Sequence, residues 1–303
     1  MKLVKSFRKY AGLYVLALPG LIFFAVFSFY PMYSHLLAFK NFKPNLGIWG
    51  SPWAGFDNFK FFFSGGKWIN ITANTLFLNA LFITFNMIVS LALAIFIEDV
   101  SKKLLKRFLQ SAVFLPYFVS WLVVNLLVMT MLSQTSGIIN NIMRQLGNDV
   151  IPFYTTPGMW PGILTALYIW KFAGYYSIIF LSVITSIPVD LYESAKIDGA
   201  NRVQQIWYIT LPMLLGTVTI LMFLSIGRIF YGDFGMIYGI IGDNGSLLKT
   251  TEVIDTFVFR ALRFMGNFSM AAAVALFQSV MGMITVVTFN ILTKKINPEY
   301  RIF

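Results

Sequence analysis

The sequence predicts an all-α integral membrane protein with six transmembrane helices and both termini cytoplasmic. Composition is the first of three observations behind this: of 303 residues, 58% are apolar, 17% aromatic and only 12% charged. Soluble domains carry about 25% charged residues, so a water-soluble enzyme is excluded, and disorder is excluded by the same aromatic richness. The second is a set of six apolar runs, each long enough to cross about 30 Å of hydrocarbon. The third is an asymmetry of bases between alternate connections, which sets orientation.

The runs, in order, are Ala11–Tyr33, Thr72–Ile97, Leu109–Leu132, Pro161–Ile187, Met213–Ile240 and Met270–Leu292. The first follows Lys2, Lys5, Arg8 and Lys9 and could pass for a secretory signal. It is too long for one, and Phe29-Tyr30-Pro31-Met32-Tyr33 stands where a small-residue cleavage site belongs. Thirteen bases fall in the connections that include the N-terminus and the short Lys102–Arg107 segment, against eight in the other set. Those thirteen lie closer to span ends, which puts both termini in the cytoplasm. The organisation expected is a cytoplasmic N-terminus over 1–10, a single transmembrane domain over 11–292 and a cytoplasmic tail over 293–303. The segment His35–Ile71, rich in Gly, Pro, Trp and Phe, reads as a folded external lip. His35, at a span end, reads as an interfacial residue. The net charge of +11 is assigned to anionic lipid. Nucleic acid is not an expected partner, because no basic stripe with interleaved aromatics occurs. Cysteine is absent, which removes disulfides and thiol chemistry.

Between the fourth and fifth runs lies Ile187-Pro188-Val189-Asp190-Leu191-Tyr192-Glu193-Ser194-Ala195-Lys196-Ile197-Asp198-Gly199-Ala200-Asn201-Arg202. Asp190 and Glu193 have the spacing of a helix N-cap and its reciprocal partner. Gly199 fits a helix C-terminus that needs φ > 0, and Asn201 can cap a second short helix ended by Leu211-Pro212. Two short helices at an angle on the cytoplasmic side are expected.

Glu193, Ala195, Gly199, Ile209, Leu211 and Pro212 match, in identity and spacing, the EAA loop of the permeases of binding-protein-dependent ABC importers. Ser194 departs from the pattern, a small residue replacing a small one. The chain resembles that family along most of its length. Gly232-Asp233-Phe234-Gly235, Val253-Ile254-Asp255-Thr256-Phe257-Val258-Phe259-Arg260 and Leu276-Phe277-Gln278-Ser279-Val280 look like its polysaccharide or complex-oligosaccharide branch. The resemblance implies that 188–212, with Glu193, Ser194, Ala195, Asp198, Gly199, Ile209, Leu211 and Pro212, is a coupling loop seated on a separate ATPase. Glu193 would then be a polar contact and Gly199 the bend. It also implies a second homologous permease, two ATPase subunits, an extracytoplasmic binding protein and a carbohydrate substrate, in a bacterial cytoplasmic membrane. This chain would bind no cofactor of its own, ATP and Mg being held by the partner ATPases. In keeping with that, no Gly-x-x-x-x-Gly-Lys-Ser/Thr loop occurs in the sequence.

Polar side chains within spans mark the expected substrate route, since an arginine at the centre of a lipid-facing helix costs about 2.5–3.5 kcal/mol. Arg228 is the clearest, directed inward towards Asp233 or towards uronate groups of an acidic sugar. Lys171, with Trp170, Tyr175 and Tyr176, offers a donor among aromatic faces suited to sugar C–H surfaces. Asn125 and Gln278 join them, with interhelical hydrogen bonding as their alternative role. An ion-gradient-driven secondary transporter is the competing reading. It would use intramembrane carboxylates as relays, and Asp233 is the one acid well inside an expected span. An intramembrane enzyme would need a nucleophile–base pair at depth, which is not evident.

Overall fold

The computed structural model describes residues 10–64 and 66–296. The expected N-terminal segment 1–10, apart from its last residue, and the tail beyond 296 lie outside the described residues. In chain order the described helices of eight residues or more are α1 (Ala11–Phe39), α2 (Asp57–Ser64), α3 (Lys67–Glu98), α4 (Lys103–Phe118), α5 (Trp121–Leu132), α6 (Ile138–Gln145), α7 (Pro157–Ile184), α8 (Val189–Ile197), α9 (Arg202–Ile226), α10 (Phe234–Ile241), α11 (Ile254–Met265) and α12 (Phe268–Ile296). Five of them are long and apolar enough to cross a membrane, and six spans result if the bent pair α4 and α5 counts as one.

The chain forms two compact units. One comprises the described residues up to Lys67 together with Val258–Phe277. In it α1 runs on past the expected end at Tyr33, through a π-helical turn at Ala25–Phe29 and a 3-10 stretch at Tyr30–Phe39. The lip folds back on that end: Asn41 N–H donates to the Pro52 carbonyl at 2.9 Å, and Ala54 N–H to that of Phe39 at 2.8 Å. Lys40 is buried beneath the lip, its Nζ donating to the carbonyls of Ile48 (2.8 Å) and Trp49 (3.1 Å) and lying 5.0 Å from the Trp53 ring. These carbonyls have no helical partner, so the ammonium supplies one.

The other unit comprises Trp68–Phe257 and Gln278 onward, and here the structure corrects three expectations. The third span does not run straight from Leu109 to Leu132, because α4 and α5 meet at 95°. Pro116 has no N–H to continue the helix, the chain passes through a 3-10 turn at Leu115–Phe118, and Ser120 caps a new helix from the Val123 N–H. The fifth span does not reach Ile240. It stops at Ile226, and a turn over residues 227–233 leads into the separate helix α10. Nor does Leu211-Pro212 end a short helix, since α9 is continuous from Arg202 to Ile226. A π-helical turn at Ile206–Thr210 precedes the proline, and the wider turn accommodates a ring that would strain an α-helical ladder.

Elsewhere in this unit α4 approaches α7 so closely at Gly174 that a Cβ there would stand 1.7 Å from the Val113 carbonyl oxygen. Leu78, Phe82, Val124, Val128, Trp160, Leu164, Met236 and Ile237 make one buried cluster, and Met87, Ala94, Phe180, Ile184 and Leu214 make another.

Candidate functional site

A cavity of about 610 Å³ opens within the larger unit, lined among others by Asn79, Tyr117, Tyr168, Phe172, Tyr175, Tyr176, Arg228, Tyr231, Asp233 and Asp255. Its polar wall is the turn that interrupts the fifth span. Asn79 pins that turn from α3, its side-chain amide donating to the carbonyls of Ile229 (2.9 Å) and Tyr231 (3.1 Å). Its aromatic wall comes from the α4 end and α7, with Tyr117 and Tyr175 stacked at 4.7 Å and Tyr176 edge-on to Tyr175 at 5.6 Å.

Arg228 stands exposed on the turn, and among the described residues its guanidinium forms no hydrogen bond or ion pair. The expected contact with Asp233 is not made. Asp233 is occupied elsewhere, with Oδ1 accepting from the Met236 N–H at 3.0 Å as the cap of α10 and Oδ2 accepting from Trp121 Nε1 at 3.1 Å. Asp255 is held in the same way, its Oδ2 accepting from the Gly232 N–H (2.6 Å) and from Gln278 Nε2 (3.1 Å). Burial pushes the Asp255 carboxyl above the ordinary carboxylate range, and the Gly232 and Gln278 donors oppose that shift. The three segments on which the oligosaccharide-branch resemblance rests therefore meet here, Gly232 and Gln278 both donating to Asp255.

Four of the eight residues expected on the substrate route line the cavity: Arg228, Asp233, Tyr175 and Tyr176. Lys171 does not. It is buried, with Nζ donating to the carbonyls of Tyr117 (3.0 Å) and Val119 and lying 5.1 Å from the Trp121 ring. It thus satisfies acceptors freed by the break between α4 and α5. Trp170 is exposed and does not line the cavity, Asn125 Oδ1 is buried without a hydrogen-bond partner among the described residues, and Gln278 lies buried behind Asp255 with a second bond to the Phe230 carbonyl at 2.9 Å. Trp121 and Asp255 were not singled out by residue type. A tryptophan directly after a helix cap carries no mark that its indole N–H faces an acid 112 residues away.

At the segment between α7 and α9, Gly199 has φ +81°. The bonds from Gly199 N–H to the Lys196 carbonyl (3.1 Å) and from Ala200 N–H to that of Ala195 (2.8 Å) close a Schellman turn. Asn201 and Gln204 cap α9 reciprocally at 2.9 and 2.8 Å. The expected Asp190 cap is absent: α8 begins at Val189 behind Pro188, with Asp190 in the first turn and no side-chain cap. Proline at that place already fixes the entry angle, and the carboxylate acts on the helix dipole instead. Glu193, Ser194 and Asp198 are exposed, Ala195, Ile209 and Leu211 half-buried, and Pro212 exposed. Two links tie this segment to the long helices, an ion pair of Arg202 with Asp99 at the end of α3 and a 2.9 Å hydrogen bond between Tyr192 and Thr210.

Residues 86–301 match the family model of the binding-protein-dependent transport system inner membrane component. The chain belongs to that family. This inner-membrane component is 34% identical to Protein LplB of Bacillus subtilis, over 95% of this chain and 90% of that protein. It has the same identity to the polygalacturonan/rhamnogalacturonan transport system permease protein YteP of Bacillus subtilis, over 95% and 89%. Among solved structures, a chain of a bacterial ABC transporter involved in import of the acidic polysaccharide alginate matches with TM-score 0.88 and 34% identity, covering 98% of this chain and 100% of that one. A second match, with TM-score 0.88 and 32% identity, is the alginate transporter in complex with an alginate pentasaccharide-bound periplasmic protein, covering 98% of each chain. As an inner membrane component with several long apolar helices, the chain is a multi-pass membrane protein.

Proposed function

We propose that this chain is a permease subunit of an ATP-driven importer for an acidic oligosaccharide or polysaccharide fragment, working by alternating access. The observation that carries the reading is Arg228, a guanidinium that makes no hydrogen bond or ion pair among the described residues, on the wall of a tyrosine-lined cavity. A guanidinium fork matches a carboxylate in two parallel hydrogen bonds, and tyrosine rings match the C–H faces of pyranoses. The involvement of one structural relative in importing the acidic polysaccharide alginate supports the same class.

In this reading the 188–212 segment faces the cytoplasm and couples to a separate ATPase, which holds ATP and Mg. Its Schellman turn, reciprocal cap and Arg202–Asp99 pair give it the stiffness that transmission needs. A second homologous permease completes the pathway, an extracytoplasmic binding protein delivers the substrate, and the membrane is the bacterial cytoplasmic membrane. The test is uptake into proteoliposomes by the whole importer, with oligogalacturonate and its uncharged methyl ester as probes. Arg228→Gln is expected to lower oligogalacturonate uptake about tenfold, the scale of one charge-assisted hydrogen bond, and to spare the ester. Equal uptake of both probes by wild type and variant would overturn the acidic-substrate reading. Uptake that ignores ATP and follows an ion gradient would overturn the importer reading.

A further inference from the structure

Arg228 stands free although two carboxylates share its cavity. Its charge is felt at both Asp233 and Asp255, yet neither carboxylate makes an ion pair with it. Left alone, an acid beside a guanidinium in a partly desolvated pocket closes on it, because the attraction grows as water is removed. Both acids are instead engaged by neutral donors, while the Lys171 ammonium also acts on Asp233 through space. Trp121 Nε1 takes the Asp233 oxygen left over from helix capping, and Gln278 Nε2 takes Asp255 together with the Gly232 N–H. Both donors arrive from behind the cavity wall, and neither Trp121 nor Gln278 lines the cavity.

We infer that Trp121 and Gln278 are specificity-determining positioning residues, which hold Asp233 and Asp255 off Arg228 and so keep its guanidinium available to an anionic saccharide. They act through the two acids and do not touch the substrate. A neutral donor suits the task because it satisfies a carboxylate without adding a cation that would compete for the ligand. Close packing reinforces the arrangement. A Cβ on Gly235 would lie 3.0 Å from the Trp121 ring, and one on Gly232 would lie 2.6 Å from a Val253 methyl. A side chain at either position would press on the elements that bring the indole and the Gly232 N–H to their acids.

The inference rests on the acidic-substrate reading, and the experiment separates the two. In the reconstituted importer, Trp121→Phe keeps a flat ring and removes the N–H. It is expected to raise the KM for oligogalacturonate about tenfold while leaving that for the methyl ester within about twofold. Adding Asp233→Asn, which cannot form the ion pair, is expected to restore oligogalacturonate uptake. Gln278→Leu with and without Asp255→Asn is the parallel pair. Equal loss of both probes in Trp121→Phe, or no restoration by Asp233→Asn, would overturn the inference while Arg228→Gln still discriminates the probes. If Arg228→Gln does not discriminate them, the acidic-substrate reading itself falls.

Discussion

Gly174 and Lys171 sit one helical turn apart on α7, and both serve the junction with α4 and α5. Gly174 lets two backbones meet, since a Cβ would fall 1.7 Å from the Val113 oxygen. Gly174→Ala is expected to destabilise the folded protein by about 1–3 kcal/mol, the cost of overpacking, seen as a lower midpoint of thermal unfolding in detergent. Lys171→Met leaves the Tyr117 and Val119 carbonyls without their donor. With about 1–3 kcal/mol lost per orphaned buried group, the melting midpoint should drop, while KM for oligogalacturonate changes less than in Arg228→Gln. A selective KM effect as large as that of Arg228→Gln would return Lys171 to the substrate path. The sequence marked Lys171 as unusual, since a lysine in a span is expensive. Charge alone did not distinguish a ligand for sugar from a ligand for backbone, because the distinction lies in a break some 50 residues earlier.

At the level of elements, the connection from α8 to α9 was legible in detail because its signals are local. Gly199 takes φ +81° and Asn201 caps with Gln204, each readable from residue type and spacing. Asp190 was misread because Pro188 already opened the helix, and Pro212 because a π turn absorbed it. Breaks in the third and fifth spans escaped notice for another reason: the breaks at 115–120 and 227–233 are short, and the apolar helices on either side carry the hydropathy of the whole run. Two predictions belong here. Gly199→Val forces a β-branched residue into the left-handed region and, with Glu193→Ala, should abolish substrate-stimulated ATP hydrolysis while membrane insertion persists. Normal stimulated hydrolysis in that double variant would refute the coupling role. Asp99→Arg should likewise reduce stimulated hydrolysis, and Asp99→Arg with Arg202→Asp should recover it. An exposed pair of this kind contributes only about 0–1 kcal/mol to stability, so the melting midpoint should barely move.

For the whole molecule, composition and six apolar runs pointed to a helical membrane protein, and one loop carried most of the resemblance to the family that residues 86–301 match. Orientation is the global property that bases alone set, and it has a direct check. The natural sequence has no cysteine, so single cysteines at Lys102 and Asp198 should react with an impermeant thiol reagent only in inverted vesicles. Cysteines at Trp49 and Asn148 should react only in intact cells or spheroplasts. The opposite pattern would reverse both termini and remove the 188–212 segment from the cytoplasm. Arg228, Trp121, Asp255 and Gln278 come from four separate parts of the chain, and no window of sequence contains their geometry. That is why the cavity was legible only as a set of residue types.

The bend between α4 and α5 also bears on how the chain is made. The Tyr117 and Val119 carbonyls precede Lys171 in the chain, so they are synthesised before the lysine that they receive. An ammonium that reaches these two acceptors is spared the cost of a lone charge in lipid. The broken helix is in this respect a reception site for a helix that follows it in the sequence.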